Sequence, residues 1–183
     1  QCGGLPGNVT VRSATEVIDM HDDPATAFKT KKDSSVTVGM NLVKSGEGDA
    51  LVSAGSTGAL LVGSICRLGL LPGLKFPALI SALPCGGENL LSLVDCGANI
   101  ECSADDLARF ARMGHVFSKS YCGIESPRIG LMSVGRERQK GTALIQQAYE
   151  KISALNLNFV GNVEGSDLVT DCADVIVTDG FSG

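Results

Sequence analysis

Leu90-Leu91-Ser92-Leu93-Val94-Asp95-Cys96-Gly97-Ala98-Asn99 runs on into Ser103-Ala104-Asp105-Asp106-Leu107, and this stretch decides the fold class. Leu90 to Asp95 is a short apolar run followed by turn residues, which predicts a buried strand. Asp95 to Asn99 is polar and contains Gly97, so the chain leaves the strand there. Ser103 then opens a helix, with Asp106 three residues on in a capping-box arrangement. Leu107, Phe110, Ala111, Gly114, Phe117 and Tyr121 give that helix a small or apolar stripe at i, i+3, i+4, i+7 spacing. Strand, polar turn and helix in succession form the half-unit of an α/β fold.

The same alternation extends both ways. Upstream, Pro77 to Leu83 reads as a strand, and the turn Pro84 to Asn89 closes a hairpin with Leu90 to Asp95. Thr57 to Arg67 reads as a mostly buried helix after a short strand, Ala50 to Ala54. Ser34 to Ser45 reads as a helix with Gly46 as its stop, and Val9 to Ala14 as a strand. Downstream come a strand (Arg128 to Val134), a helix (Thr142 to Leu155) and two further strands (Asn158 to Val163, Ala173 to Thr178). Strands alternating with helices imply a mostly parallel sheet covered on both faces. Ligands of such sheets bind beyond the carboxyl ends of the strands.

Composition agrees. The 183 residues suit one domain spanning 1–183, and 44% hydrophobic content is enough for a sizeable core. Aromatics are only 4%, so Val, Leu, Ile and Ala must build that core. The net charge of −5 argues against nucleic-acid binding through bulk positive charge. Seven cysteines without a C-x-x-C pair, beside two histidines, argue against a structural zinc and read as reduced thiols of a cytosolic protein. The longest apolar run, Ala59 to Cys66, is too short to span a bilayer. Gln1 at the start and Gly183 inside a turn-like phrase both read as cuts in a longer chain.

Four polar, Gly-flanked phrases fall at strand ends. Ser53-Ala54-Gly55-Ser56-Thr57-Gly58-Ala59 opens a helix; it serves either as an ordinary N-cap or as an anion site, where free N–H groups and the helix dipole favour phosphate. Asp95 to Asn99 offers a carboxylate and an amide that can orient a substrate or shape a turn. Gly161-Asn162-Val163-Glu164-Gly165 places Glu164 as a base or acceptor, and Asp179-Gly180-Phe181-Ser182-Gly183 follows the last strand. A fifth phrase, Gly135 to Gly141, brings Arg136, Arg138 and Lys140, either as phosphate ligands or as a solvated loop. No G-x-S-x-G elbow exists, and His115 lies mid-helix beside the apolar stripe, so covalent catalysis finds little support.

In order along the chain stand Asp22-Asp23 with Pro24, Lys31-Lys32-Asp33-Ser34-Ser35, Leu42-Val43-Lys44-Ser45-Gly46, Ser53 to Ala59, Asp95 to Asn99, Gly161 to Gly165 and Asp179 to Gly183. This order resembles the PlsX family, the phosphate acyltransferases of fatty acid and phospholipid synthesis, over nearly the whole chain. There are departures. Ser56 stands where the family usually has Asn, and Ser133 and Arg136 stand where it has an amide and a carboxylate.

The resemblance implies a three-layer α/β/α fold related to phosphotransacetylases and to isocitrate and isopropylmalate dehydrogenases. It implies transfer of a long acyl chain from acyl carrier protein to inorganic phosphate, without cofactor or metal. It also implies a homodimer in the cytoplasm, in peripheral contact with the inner face of the membrane. Phosphate is then the nucleophile, so the protein need only position reactants and stabilise an oxyanion. Under that reading Ser56, Thr57 and Lys140 hold phosphate, Asn99 and Asn162 contact the oxyanion or carbonyl, and Asp95, Glu164 and Asp179 orient them. Two rivals remain: a phosphate acetyl- or butyryltransferase using coenzyme A thioesters, and a non-catalytic binding domain.

Overall fold

The computed structural model describes residues 6–85 and 90–183, which form two compact units, 1–73 and 74–183. The sequence reads as one domain over 1–183, whereas the structure divides into these two units.

The first unit is helical. α1 (Pro24–Thr30) starts at Asp23, whose carboxylate accepts the Thr26 N–H, with Pro24 at the first helical position. α2 (Ser35–Ser45) starts at Ser34 and stops at Gly46, whose φ of 78° gives the left-handed turn that a glycine adopts without penalty. α3 (Thr57–Gly63) starts at Ser56 and passes into one π-helical turn, Ser64–Leu68. The core is small: Phe28, Val36 and Met40, flanked by Ile18, Leu51, Leu60 and Val62.

Three expectations change in this unit. Val9 to Ala14 and Ala50 to Ala54 are not strands; Val11 is 68% and Val52 95% exposed, and no neighbouring strand among the described residues supplies partners. An isolated parallel bridge, Glu16 to Ser34, stands nearby instead. The helix from Thr57 buries only Ala59 and Gly63 and none of its π-helical turn, so it is not mostly buried. The Ser64 hydroxyl donates back to Leu60 O, which disturbs the ladder at the junction.

The second unit is the sheet. Its strands are β1 (Ile80–Pro84), β2 (Leu90–Val94), β3 (Ile129–Met132), β4 (Phe159–Val163) and β5 (Val175–Val177), in the order β1-β2-β5-β3-β4. Only β1 runs antiparallel, paired with β2 through Ile80↔Val94 to Pro84↔Leu90; residues 86–89 of the expected hairpin turn lie outside the described residues. β2 with β5, β5 with β3, and β3 with β4 are parallel.

α4 (Ala104–Tyr121) follows β2, and α5 (Ala143–Ser153) follows β3. The expected capping box holds, with Ser103 and Asp106 bonding reciprocally, and Thr142, the first residue of the expected second helix, caps α5. α4 and α5 bury Leu107, Phe110, Ala111, Ala148 and Ile152 against Val94, Ile129, Leu131, Val175 and Val177. Each large side chain removed from water there contributes roughly 1.5–3 kcal/mol. The stripe of α4 ends on Ser118, fully buried, while Tyr121 is 70% exposed and stacks on Phe117. On the opposite sheet face Leu91, Leu93, Val163 and Ile176 cluster with Cys85 and Ala173.

Candidate active site

β2, β3, β4 and β5 are mutually parallel, so their carboxyl ends gather the phrases from 95, 133, 164 and 178 onward along one rim of the sheet.

Asp95 is fully buried, and its carboxylate is spent on the protein itself. It accepts from Leu79 N (2.8 Å), Ala98 N (3.3 Å), Asn99 N (2.7 Å) and Asn99 Nδ2 (2.8 Å). The Asn99 amide also donates to Pro77 O at 2.9 Å. Both amide hydrogens therefore serve the loop. The Asn99 carbonyl accepts Gly180 N at 2.8 Å, and a Cβ on Gly180 would meet Asn99 backbone at 2.9 Å. This tight contact ties the loop after β2 to the loop after β5. There the Asp179 carboxylate accepts from Phe181 N and Ser182 N, folding the chain into a turn.

Over β3 and β4 lies the loop 135–141. Arg136 pairs with the buried Asp167, and Arg138 pairs with Glu150 over the Tyr149 ring. The exposed Lys140 has no ion-pair partner among the described residues. Asn162 is 5% exposed; its Nδ2 donates to Glu137 O at 2.9 Å, while its Oδ1 is buried without a partner. Glu164 is half-buried, and its N–H donates to the Asp167 carboxylate at 2.9 Å. A cavity of about 390 Å³ opens at this rim, lined among others by Ser133, Gly141, Thr142, Thr178, Asp179 and Ser182.

The rim thus gathers Asp95, Asn99, Lys140, Asn162, Glu164 and Asp179, all within the second unit. Ser56 and Thr57 belong to the first unit. There the Ser56 hydroxyl accepts Ala59 N at 3.3 Å as the cap of α3, and Thr57 is exposed.

Two features at this rim were missed from sequence. One is the Arg136–Asp167 pair, signalled by Asp167 standing three residues after Glu164 at a turn start. The other is Ser133, noticed only as a departure from a motif.

The fold and rim can now be set beside known proteins. The model of a family described as "Fatty acid synthesis protein" matches residues 5–183. The chain belongs to this family. Proteins named phosphate acyltransferase from Clostridioides difficile, Caldanaerobacter subterraneus and Desulfitobacterium hafniense are 43%, 46% and 44% identical to it, over 92%, 93% and 99% of this chain. It spans 50%, 51% and 54% of their lengths, so about half of each. A phosphotransacetylase from Streptococcus pyogenes superposes with a TM-score of 0.66 at 22% identity, covering 86% of this chain and 54% of that one. EutD phosphotransacetylase from Staphylococcus aureus gives 0.60 at 20% identity, covering 79% and 51%. At such identities these two likenesses show the fold, a mixed α/β arrangement with a mostly parallel sheet.

As a member of the fatty acid synthesis protein family, the chain shows no helix among the described residues long and apolar enough to cross a membrane. No group of three or more His, Cys, Asp or Glu able to hold a metal ion occurs among them either.

Proposed function

We propose that this chain carries the phosphate-handling half of an enzyme that transfers an acyl group from an acyl carrier protein thioester to inorganic phosphate. The observation that carries this reading is Lys140: it is a cation without an ion-pair partner among the described residues, beside a cavity of about 390 Å³ at the carboxyl ends of a parallel sheet.

In this reading a phosphate oxygen attacks the thioester carbon and a C–O bond forms. The carbonyl electron pair moves onto oxygen. The tetrahedral adduct collapses, the C–S bond breaks, and the thiolate leaves and takes up a proton. The products are an acyl phosphate and a thiol. No protein nucleophile takes part, in keeping with a rim of amides, carboxylates and one lysine. Lys140 holds the anion as a point charge. Asp95, Asn99 and Asp179 hold the two loops in place, since their hydrogen bonds run within the protein. In this reading Asn162, near the end of β4, and Glu164, just after it, contact the reacting groups. In the first unit, Thr57 is the hydroxyl of its phrase left free for an anion once Ser56 caps α3. Acyl carrier protein as donor, a homodimer, and a cytoplasmic site with contact at the inner face of the membrane belong to the same reading and rest on the motif order.

The test is to incubate this chain, and separately the longer protein that contains it, with acyl carrier protein thioester and trap acyl phosphate with hydroxylamine. Phosphate-dependent hydroxamate is expected, with the phosphate KM raised about tenfold in Lys140→Ala, the loss of one charge-assisted contact. Product from coenzyme A thioesters alone would move the donor to coenzyme A. No product from either chain with either donor would leave a non-catalytic binding domain.

A further inference from the structure

The cavity of about 390 Å³ at the rim has a lining of two kinds. Thr178, Asp179 and Ser182, which follow β5, supply a polar part. Met132, Val134, Leu144, Ile145 and Leu168 supply an apolar part. These five come from three places. Met132 ends β3 and Val134 stands just beyond it, Leu144 and Ile145 lie in the first turn of α5, and Leu168 lies in the short turn Gly165–Val169 after β4. Leu144 and Ile145 also pack on the core beneath α4 and α5, whereas Met132 and Leu168 pack on the core of the opposite sheet face. The cavity thus lies where the margins of both cores reach the end of the sheet. Val134 is 83% exposed there, so the apolar part is open to solvent.

Such a lining gives water no hydrogen-bond partners, whereas an apolar ligand that covers it takes its own surface and that of the side chains out of water. The lining also narrows the ligand's class. Among the described residues no aromatic ring lines the cavity, so a flat base gains no stacking there. Branched and flexible side chains suit a flexible aliphatic chain instead. The chain must end in a polar group, because the same cavity holds Ser182, which is exposed and whose hydroxyl can donate to a carbonyl. An acyl group has both parts.

We propose that Val134, Leu144, Ile145 and Leu168 form the subsite for the acyl chain of the donor: a straight aliphatic chain lies along these side chains, with its carbonyl end at Ser182. The inference rests on the acyl-transfer reading above and deepens it by naming the residues that set acyl-chain preference.

The experiment titrates the unmodified chain, Val134→Asn and Leu168→Asn with butanoate, hexanoate and octanoate by nuclear magnetic resonance, and with inorganic phosphate in parallel. Circular dichroism checks the fold of each variant, and the exposure of Val134 makes its change the milder one. In the unmodified chain, affinity is expected to rise about fourfold for each methylene that the subsite covers. In each variant, octanoate affinity is expected to fall about fivefold while phosphate affinity stays unchanged. In the longer protein that contains this chain, the same variants should raise the KM of the acyl donor and leave that of phosphate alone. Affinity independent of chain length, or a chain-length dependence undiminished in both folded variants, overturns the inference. If no acyl transfer is found yet the chain-length dependence and its loss in the variants are, the enzymatic reading fails and the aliphatic subsite stands.

Discussion

The guanidinium of Arg136 lies 2.5 Å from the carboxylate of Asp167, and the Asp167 side chain is only 2% exposed. Asp167 also accepts the Glu164 N–H, so one buried carboxylate pins both the loop after β3 and the turn after β4. Because Arg136 itself is 65% exposed, its half of the pair is solvent-screened. Arg136→Ala should lower unfolding free energy only slightly. Asp167→Ala should cost about 2 kcal/mol or more, since it also strands Glu164 N. Urea titrations of the two variants check the order; equal losses would refute it.

Acid should act on two carboxyls together. The Glu164 N–H, with Arg136 assisting, holds Asp167 below the usual carboxylate range. Burial pushes Asp174 upward, but hydrogen bonds from the Arg128 side chain and backbone outweigh it and leave Asp174 low as well. A carboxyl depressed in the folded state contributes stability above its unfolded pKa, about 3.9, and loses it as pH falls through the lower folded value. The urea midpoint should therefore drop between about pH 4 and pH 2. A midpoint at pH 2 equal to that at pH 7 would contradict the assignment.

Asp95→Ala should be among the most damaging single changes at the rim. It leaves the N–H groups of Leu79, Ala98 and Asn99 and the Asn99 amide without their acceptor. Each stranded donor costs about 1–3 kcal/mol where water cannot replace the carboxylate. We expect a loss of several kcal/mol by thermal unfolding and no retained anion binding.

Gly114 marks a close approach of α4 to the sheet. A Cβ there would sit 2.4 Å from Val175 Cγ1 and 3.1 Å from Val94 Cγ1. Gly114→Ala should destabilise by about 1–3 kcal/mol through overpacking. Adding Val175→Ala should recover part of that loss in a double-mutant comparison; simple additivity would rule out the contact as the cause.

The cysteines should separate by reactivity. Cys66 is exposed, whereas Cys85 is 3% exposed, burial pushes its thiol pKa up, and its Sγ donates to Thr170 O. Mass spectrometry after brief iodoacetamide treatment should find Cys66 modified and Cys85 untouched until denaturant is added.

Local signals carried the parts of the fold that were readable from sequence. The Ser103–Asp106 box, Thr142, Ser34 with Gly46, and the apolar runs into β2 and β4 each depend on a few adjacent residues. Val9 to Ala14 and Ala50 to Ala54 have strand-like composition, but a strand needs a neighbour and these have none among the described residues. Asp23-Pro24 is a helix start that reads as a polar loop until the helix behind it is seen. Ser118 is polar and so stands outside the apolar stripe, yet it lies eleven residues, about three turns, after Leu107 and is buried on the same face.

At the site, strand-end placement made Asp95, Asn99, Asn162, Glu164 and Asp179 readable as a group. What each side chain touches depends on distant residues such as Pro77, Glu137 and Ser182, which spacing cannot supply.

Among the described residues, β5 lies between β2 and β3 and is the strand that joins them. During synthesis the β1–β2 pair and the β3–β4 pair can each form, but they have nothing to bond across until Val175–Val177 has emerged. Three residues thus act as the keystone of the unit. A ribosome stalled shortly before them would hold two half-sheets with open inner edges, which are free to pair with the wrong neighbour.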